Sequence, residues 1–248
     1  MKPYALITGA SGGLAQALAR KLKAAEWSLA LVSRRHDALP AWAQELDALM
    51  IEADVSTPDG ARSALTACLS EFGVPPAGLA LCAGNTLIAP LHRTTAEQYQ
   101  DCLAANLDTA FYTLQAYISQ CLAQEKPGSA VLVSSVVARI GVVNHEAIAA
   151  CKGAVEALTR SAAATYANKG IRINAIAPGL MRSPLTERLF VANAEKQIAA
   201  QYPLGRYGSV EDGAEAICWL LSDQSSWVTG QVIPIDGGFS AIRPMLRA

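Results

Sequence analysis

The sequence predicts an α/β protein built on one doubly wound parallel sheet with helices on both faces. Three observations carry this. Short apolar runs alternate with longer segments of helical period from end to end, the pattern of repeated βαβ units. A glycine cluster separates the first apolar run from the first helical segment. No linker, repeat or low-complexity tract interrupts the 248 residues, so 1–248 reads as a single domain, with 52% hydrophobic content to fill its core.

Composition narrows the function classes. Formal net charge is −1, which gives no field to recruit nucleic acid or an anionic membrane. No stretch approaches the ~20 apolar residues of a membrane span. Glycines and polar residues from Thr8 to Gly13 interrupt the N-terminal run where a signal peptide needs an apolar core, so no targeting segment is expected. The cysteines (Cys68, Cys82, Cys102, Cys121, Cys151, Cys218) form no Cys-x-x-Cys pair and have no histidine at ligand spacing. They read as reduced thiols of a cytoplasmic protein, with no metal site.

The elements follow in order. Tyr4 to Thr8 is an apolar strand, Gly9-Ala-Ser11-Gly-Gly13 a turn, and Leu14, Leu18 and Leu22 mark one face of a helix. Strand, glycine turn and helix make the Rossmann-type context in which backbone N–H groups and a helix N-terminus meet a pyrophosphate. A second strand, Ser28 to Ser33, ends at Arg34-Arg35. An acidic residue at such a tip favours NAD, whereas guanidinium suits a 2′-phosphate, so the expected cofactor is NADP, with NAD the weaker alternative. The run from Ala48 to Ile51 leads to Asp54-Val55, readable as a cap for a helix starting near Pro58. Leu79 to Gly84 is a strand and its exit. A helix over Ala96–Leu122 carries Asn106 mid-way, a poor place for asparagine. Ala130 to Val133 delivers Ser134-Ser135, and a helix bearing Lys152 continues with Val155, Leu158 and Ala162 on one face. Ile171 to Ala177 is a buried strand followed by Pro178-Gly179. Residues 184–207 form an apolar, helical, lid-like segment, and Val210 to Leu221 a last helix.

These motifs, at these spacings, resemble the short-chain dehydrogenase/reductases along essentially the whole chain, in particular the 3-oxoacyl-carrier-protein reductases. The resemblance implies a cofactor site made of Thr8, Gly9, Ser11, Gly13, Leu14, Ser33, Arg34, Asp54, Val55, Ala83, Gly84, Lys152, Pro178, Gly179 and Ser183. It implies catalytic roles for Asn106, Ser135 and Lys152, a substrate lid at 184–207, and a homodimer or homotetramer paired through the Asn106- and Lys152-bearing helices. There are departures. Ala15 stands for the last glycine of the first turn, and Leu81-Cys82 for two asparagines before Ala83-Gly84. Most consequentially, the family's catalytic tyrosine falls thirteen residues after Ser135 and four before Lys152, where this chain has Ile148.

Isoleucine cannot give the developing alkoxide its proton, and a positioned general acid is worth ~10²–10⁴-fold. His145 is the nearby candidate: three residues earlier, it shares a face with Ile148 if the helix already includes it, and its ordinary pKa of ~6.5 suits proton transfer. Otherwise it is a surface or capping residue. Two functions therefore stand. One is an NADP(H)-dependent oxidoreductase that interconverts a carbonyl and an alcohol on a small, mostly apolar substrate with an atypical proton donor. The other is a catalytically silent dinucleotide-binding protein, a sensor or partner subunit.

Overall fold

The computed structural model describes residues 2–34, 41–190 and 194–242; Arg35 and residues 191–193 of the proposed lid lie outside them. The strands are β1 (Tyr4–Thr8), β2 (Ser28–Ser33), β3 (Leu49–Glu52), β4 (Gly78–Leu81), β5 (Gly128–Val133), β6 (Ile171–Pro178) and the short β7 (Met181–Arg182), β8 (Gly208–Ser209) and β9 (Val232–Ile235). Seven form one sheet in the order β3-β2-β1-β4-β5-β6-β9, and every neighbouring pair is parallel. β7 and β8 pair separately.

The helices are α1 (Gly13–Ala24), α2 (Ala41–Glu45), α3 (Pro58–Phe72), α4 (Ala96–Leu103), α5 (Thr109–Ala123), α6 (Glu146–Tyr166), α7 (Ala194–Ala199) and α8 (Val210–Leu221). Strand alternation divides the core. Tyr4 and Leu6 of β1 face one cluster with Leu65 of α3, Leu114 and Tyr117 of α5 and Val155 of α6. Ala5 and Ile7 face the other, with Leu18 and Leu22 of α1, Trp42 and Ala43 of α2 and Ile217 and Leu220 of α8. The sheet is thus covered on both faces, as near-continuous apolar strands require. Among the described residues no helix is long and apolar enough to cross a membrane.

Two elements differ from their sequence reading. The helix expected over Ala96–Leu122 is α4 and α5 joined by one π-turn, Ala104–Asp108, which contains Asn106. The segment 184–207 is less helical than its composition implies: besides a short 3₁₀ turn at Glu187–Leu189, only α7 is helical among its described residues. Phe190 and Tyr202 are buried there, while Leu185 is exposed.

The strand order reverses direction between β1 and β4, which run side by side from the middle of the sheet. Crevices at the carboxyl ends of strands flanking such a reversal are where open α/β sheets bind ligands.

Candidate active site

At that crevice the Gly9 turn meets the exit of β4. Gly9 has φ +68°, and a Cβ there would lie 2.7 Å from both the N and Cα of Ala83. Only glycine allows both the conformation and the contact. Thr8, fully buried, accepts a hydrogen bond from Ala83 N at 3.3 Å. Gly12 is the N-cap of α1 and has no side chain to cap it, so the helix's first N–H groups stay open to an acceptor. Gly13 lies against Ser183 and Pro184: a Cβ on it would be 3.6 and 3.2 Å from their side chains. Ala15 is fully buried at the helix–sheet contact, so the extra methyl is accommodated. Leu14 packs on the α1 and α8 side of the core, and Ser11 is exposed at the turn.

Ser33 ends β2 and is buried, while Arg34 is exposed at the tip. Asp54 does not cap α3. Thr57 does, accepting from Gly60 N at 3.1 Å, and Asp54 Oδ1 instead accepts from the backbone and hydroxyl of Ser56. Val55 is buried below it.

The second half of the site surrounds Lys152. Its Nζ donates to the carbonyl of Val133 at 2.8 Å, the last residue of β5. Burial pulls its pKa down to about 8, and among the described residues the acidic groups acting on it are the thiols of Cys151, Cys102 and Cys82. A Cβ on Gly84 would lie 2.9 Å from Asn106 Oδ1 and 3.5 Å from Lys152 Nζ, so these three converge. The π-turn aims Asn106 inward. Its Nδ2 donates to Asn85 Oδ1 at 2.7 Å and Cys102 O at 2.9 Å, while Oδ1 is buried with no partner among the described residues. A buried acceptor left open implies a donor that arrives with a ligand or water.

Ser135 follows β5; its Oγ accepts weakly from Val137 N at 3.4 Å. Ile148 is buried with Cys102 and Cys151, and Leu87, Leu103 and Val137 pack against them. The Cys102 and Cys151 sulfurs are 3.9 Å apart. His145 lies just before α6 rather than in it, so the shared face with Ile148 that a longer helix would give is lost. Its Nδ1 is 2.7 Å from the Val143 carbonyl. A carbonyl only accepts, so Nδ1 holds the proton and Nε2 is the nitrogen free to exchange one.

Across the crevice, Gly179 packs against Asp236 and Tyr202, each 3.1 Å from where its Cβ would be, and Pro178 ends β6. The Tyr202 hydroxyl accepts from Leu180 N at 2.8 Å, bracing the Pro178-Gly179 turn from behind. That role was not legible in a tyrosine of an apparent lid. Ser183 N donates to Thr186 Oγ1 at 3.0 Å, and their hydroxyls are 3.1 Å apart.

A family model described as "Enoyl-(Acyl carrier protein) reductase" matches residues 9–240. The chain is a short-chain dehydrogenase/reductase. Its relatives in this family include cis-4-hydroxycyclohexanecarboxylate dehydrogenase of Sinomonas cyclohexanicum, 32% identical over 246 residues and 96% of each chain. Another is the 3-oxoacyl-acyl-carrier-protein reductase of Staphylococcus aureus, 32% identical over 96% of this chain and 98% of the relative. The crystal structure of levodione reductase superposes with a TM-score of 0.90 at 32% identity, covering 97% of this chain and 98% of that one. Short-chain dehydrogenase/reductases use a nicotinamide dinucleotide, and the glycine cradle together with the unpartnered Asn106 Oδ1 fits such a group.

Proposed function

We propose that the chain is an NADP(H)-dependent oxidoreductase that interconverts a carbonyl and an alcohol on a small, mostly apolar substrate. The observation that carries this is the convergence of Lys152, Asn106 and Gly84 at the ends of β4 and β5, facing the Gly9 cradle. The named activities of the relatives, which are dehydrogenases and reductases, support the same reaction class.

The bound nicotinamide would supply or accept the hydride. Gly9, Ser11, Gly13 and Leu14 would hold its pyrophosphate through backbone N–H groups. Arg34 and Ser33 would take the 2′-phosphate, Asp54 and Val55 the adenine, and Pro178, Gly179 and Ser183 the carboxamide end. Lys152 would donate to the ribose hydroxyls, and Ser135 would hydrogen-bond the substrate oxygen. With Ile148 apolar, His145 Nε2 is the candidate to deliver the proton. Residues 184–207 would cover the substrate. Calorimetric titration tests the cofactor: NADPH should bind more tightly than NADH, and Arg34→Ala should remove most of the difference. Equal affinities, or tighter NADH, overturn it.

The exposed Phe111 and Leu122 of α5 support pairing of copies through α5 and α6. Light scattering should report a dimer or tetramer at micromolar concentration; a monomer refutes it.

The second reading is binding without turnover. The apolar packing of Ile148 favours it, and a protein that binds NADPH yet reduces none of a broad carbonyl panel would establish it.

A further inference from the structure

One buried carboxylate near the site has no part in the chemistry above. Glu156 lies one turn beyond Lys152 on α6, with its side chain almost wholly out of water. An ionised carboxylate there is costly unless paired and hydrogen-bonded. Its Oε1 accepts from the Ser134 hydroxyl at 3.1 Å and from Arg139 Nε at 3.1 Å, and its Oε2 is 3.6 Å from Arg160 Nη1. Arg139 also donates from Nη2 to the carbonyl of Val232 on β9 at 2.8 Å. The Ser134 hydroxyl has a second acceptor at 3.3 Å, the backbone carbonyl of Lys152 itself.

The two groups bound to Oε1 flank Ser135. Ser134 precedes it, and Arg139 closes the short turn Val136–Ala138 that follows it. A single carboxylate oxygen therefore grips both ends of the Ser135 turn, from the same helix and one turn away from Lys152. Apolar residues of similar volume would hold a helix to a sheet as well as a buried ion network does, or better. What they would not supply is a fixed register between the turn and the helix.

We infer that Glu156 is a positioning residue that sets Ser135 against Lys152, and so shapes the nicotinamide end of the cofactor site. This rests on the cofactor reading above. The Gly9 cradle lies at the end of β1 and shares none of these bonds, so the adenosine end should be indifferent to Glu156.

The test compares two ligands by calorimetry: NADPH, and 2′,5′-ADP, which has only the adenosine end. Glu156→Leu should weaken NADPH by about 10-fold or more, as small misplacements in such sites do, with 2′,5′-ADP held within about twofold. Glu156→Gln keeps an acceptor for Ser134 and should recover most of the loss. Ser134→Ala should reproduce the NADPH-selective weakening, and it carries the test should Glu156→Leu not fold. Equal weakening of both ligands would reduce Glu156 to a general structural role and overturn the inference, as would an unchanged NADPH affinity in Glu156→Leu and Ser134→Ala. A wild-type chain that binds neither ligand overturns the cofactor reading itself, and this role with it.

Discussion

The crevice has two ends that keep their shape by different means. At the Gly9 end, backbone meets backbone: Ala83 comes so close that a single methyl has no room. At the Ile148 end, a branched apolar side chain fills the space among Cys102, Cys151, Leu87, Leu103 and Val137. The first end is determined by sterics and tolerates nothing larger. The second is a packing problem with more than one solution, so a reactive side chain can be exchanged there while the fold persists. On the proposed reading, the Gly9 end can then keep its shape for the cofactor whatever side chain stands at position 148.

The hardest way to break the comparison is at Gly9. Gly9→Ala combines a positive φ with a collision against the Ala83 backbone, and should cost about 3 kcal/mol or more. Urea unfolding reads this as a lower midpoint, and cofactor binding should be lost with it. A stable variant that still binds would mean the two turns can separate.

Lys152 sits between the two ends and answers to pH. Its folded pKa of about 8 lies below the ordinary value of 10.5. Between these values the unfolded chain binds the extra proton, so this group's destabilising contribution is full below pH 8 and fades as pH rises to about 10. Lys152→Met removes the buried charge but also the hydrogen bond to Val133, and should stabilise the protein at pH 7 by about 2 kcal/mol net. That advantage should shrink between pH 8 and 10 in paired denaturation curves. A constant difference would show that Lys152 is not depressed.

The smallest effect sharpens the Ile148 end. Ile148→Tyr should raise NADPH-dependent reduction of small test carbonyls by ~10-fold or more, within what a positioned acid supplies, despite some overpacking. No gain, combined with loss of activity in His145→Ala, would assign the proton to His145.

Most of the architecture was legible because its signals are local. β1, β2 and α8 coincide with uninterrupted apolar or periodic runs bounded by glycine, serine and arginine. Asn106 in mid-helix marked the place of the π-turn without revealing its geometry. What could not be read depends on partners distant in sequence. Glu156 on an amphipathic helix reads as a solvated charge, and its burial needs Ser134 and Arg139, which only the β5–α6 crossover brings to it. Tyr202 likewise reads as lid and becomes a brace only through Leu180 N. His145 stands one residue before the start of α6, so its direction relative to Ile148 is set by the preceding turn and not by helix periodicity.

The π-turn at Ala104–Asp108 makes chain length itself a constraint. A π-turn carries about one residue more per turn than an α-helix, so deleting one residue there would let α4 and α5 merge into one regular helix while α5 keeps the same face towards the sheet. Leu114, Tyr117 and Ile118 would stay against the sheet, and what would be lost is the bulge that holds Asn106 buried with its Nδ2 on Asn85. Exposed connections elsewhere in the chain can gain or lose residues at little cost, but this five-residue stretch counts its residues, and the loss of one would be felt at Asn106 while the rest of α5 kept its packing.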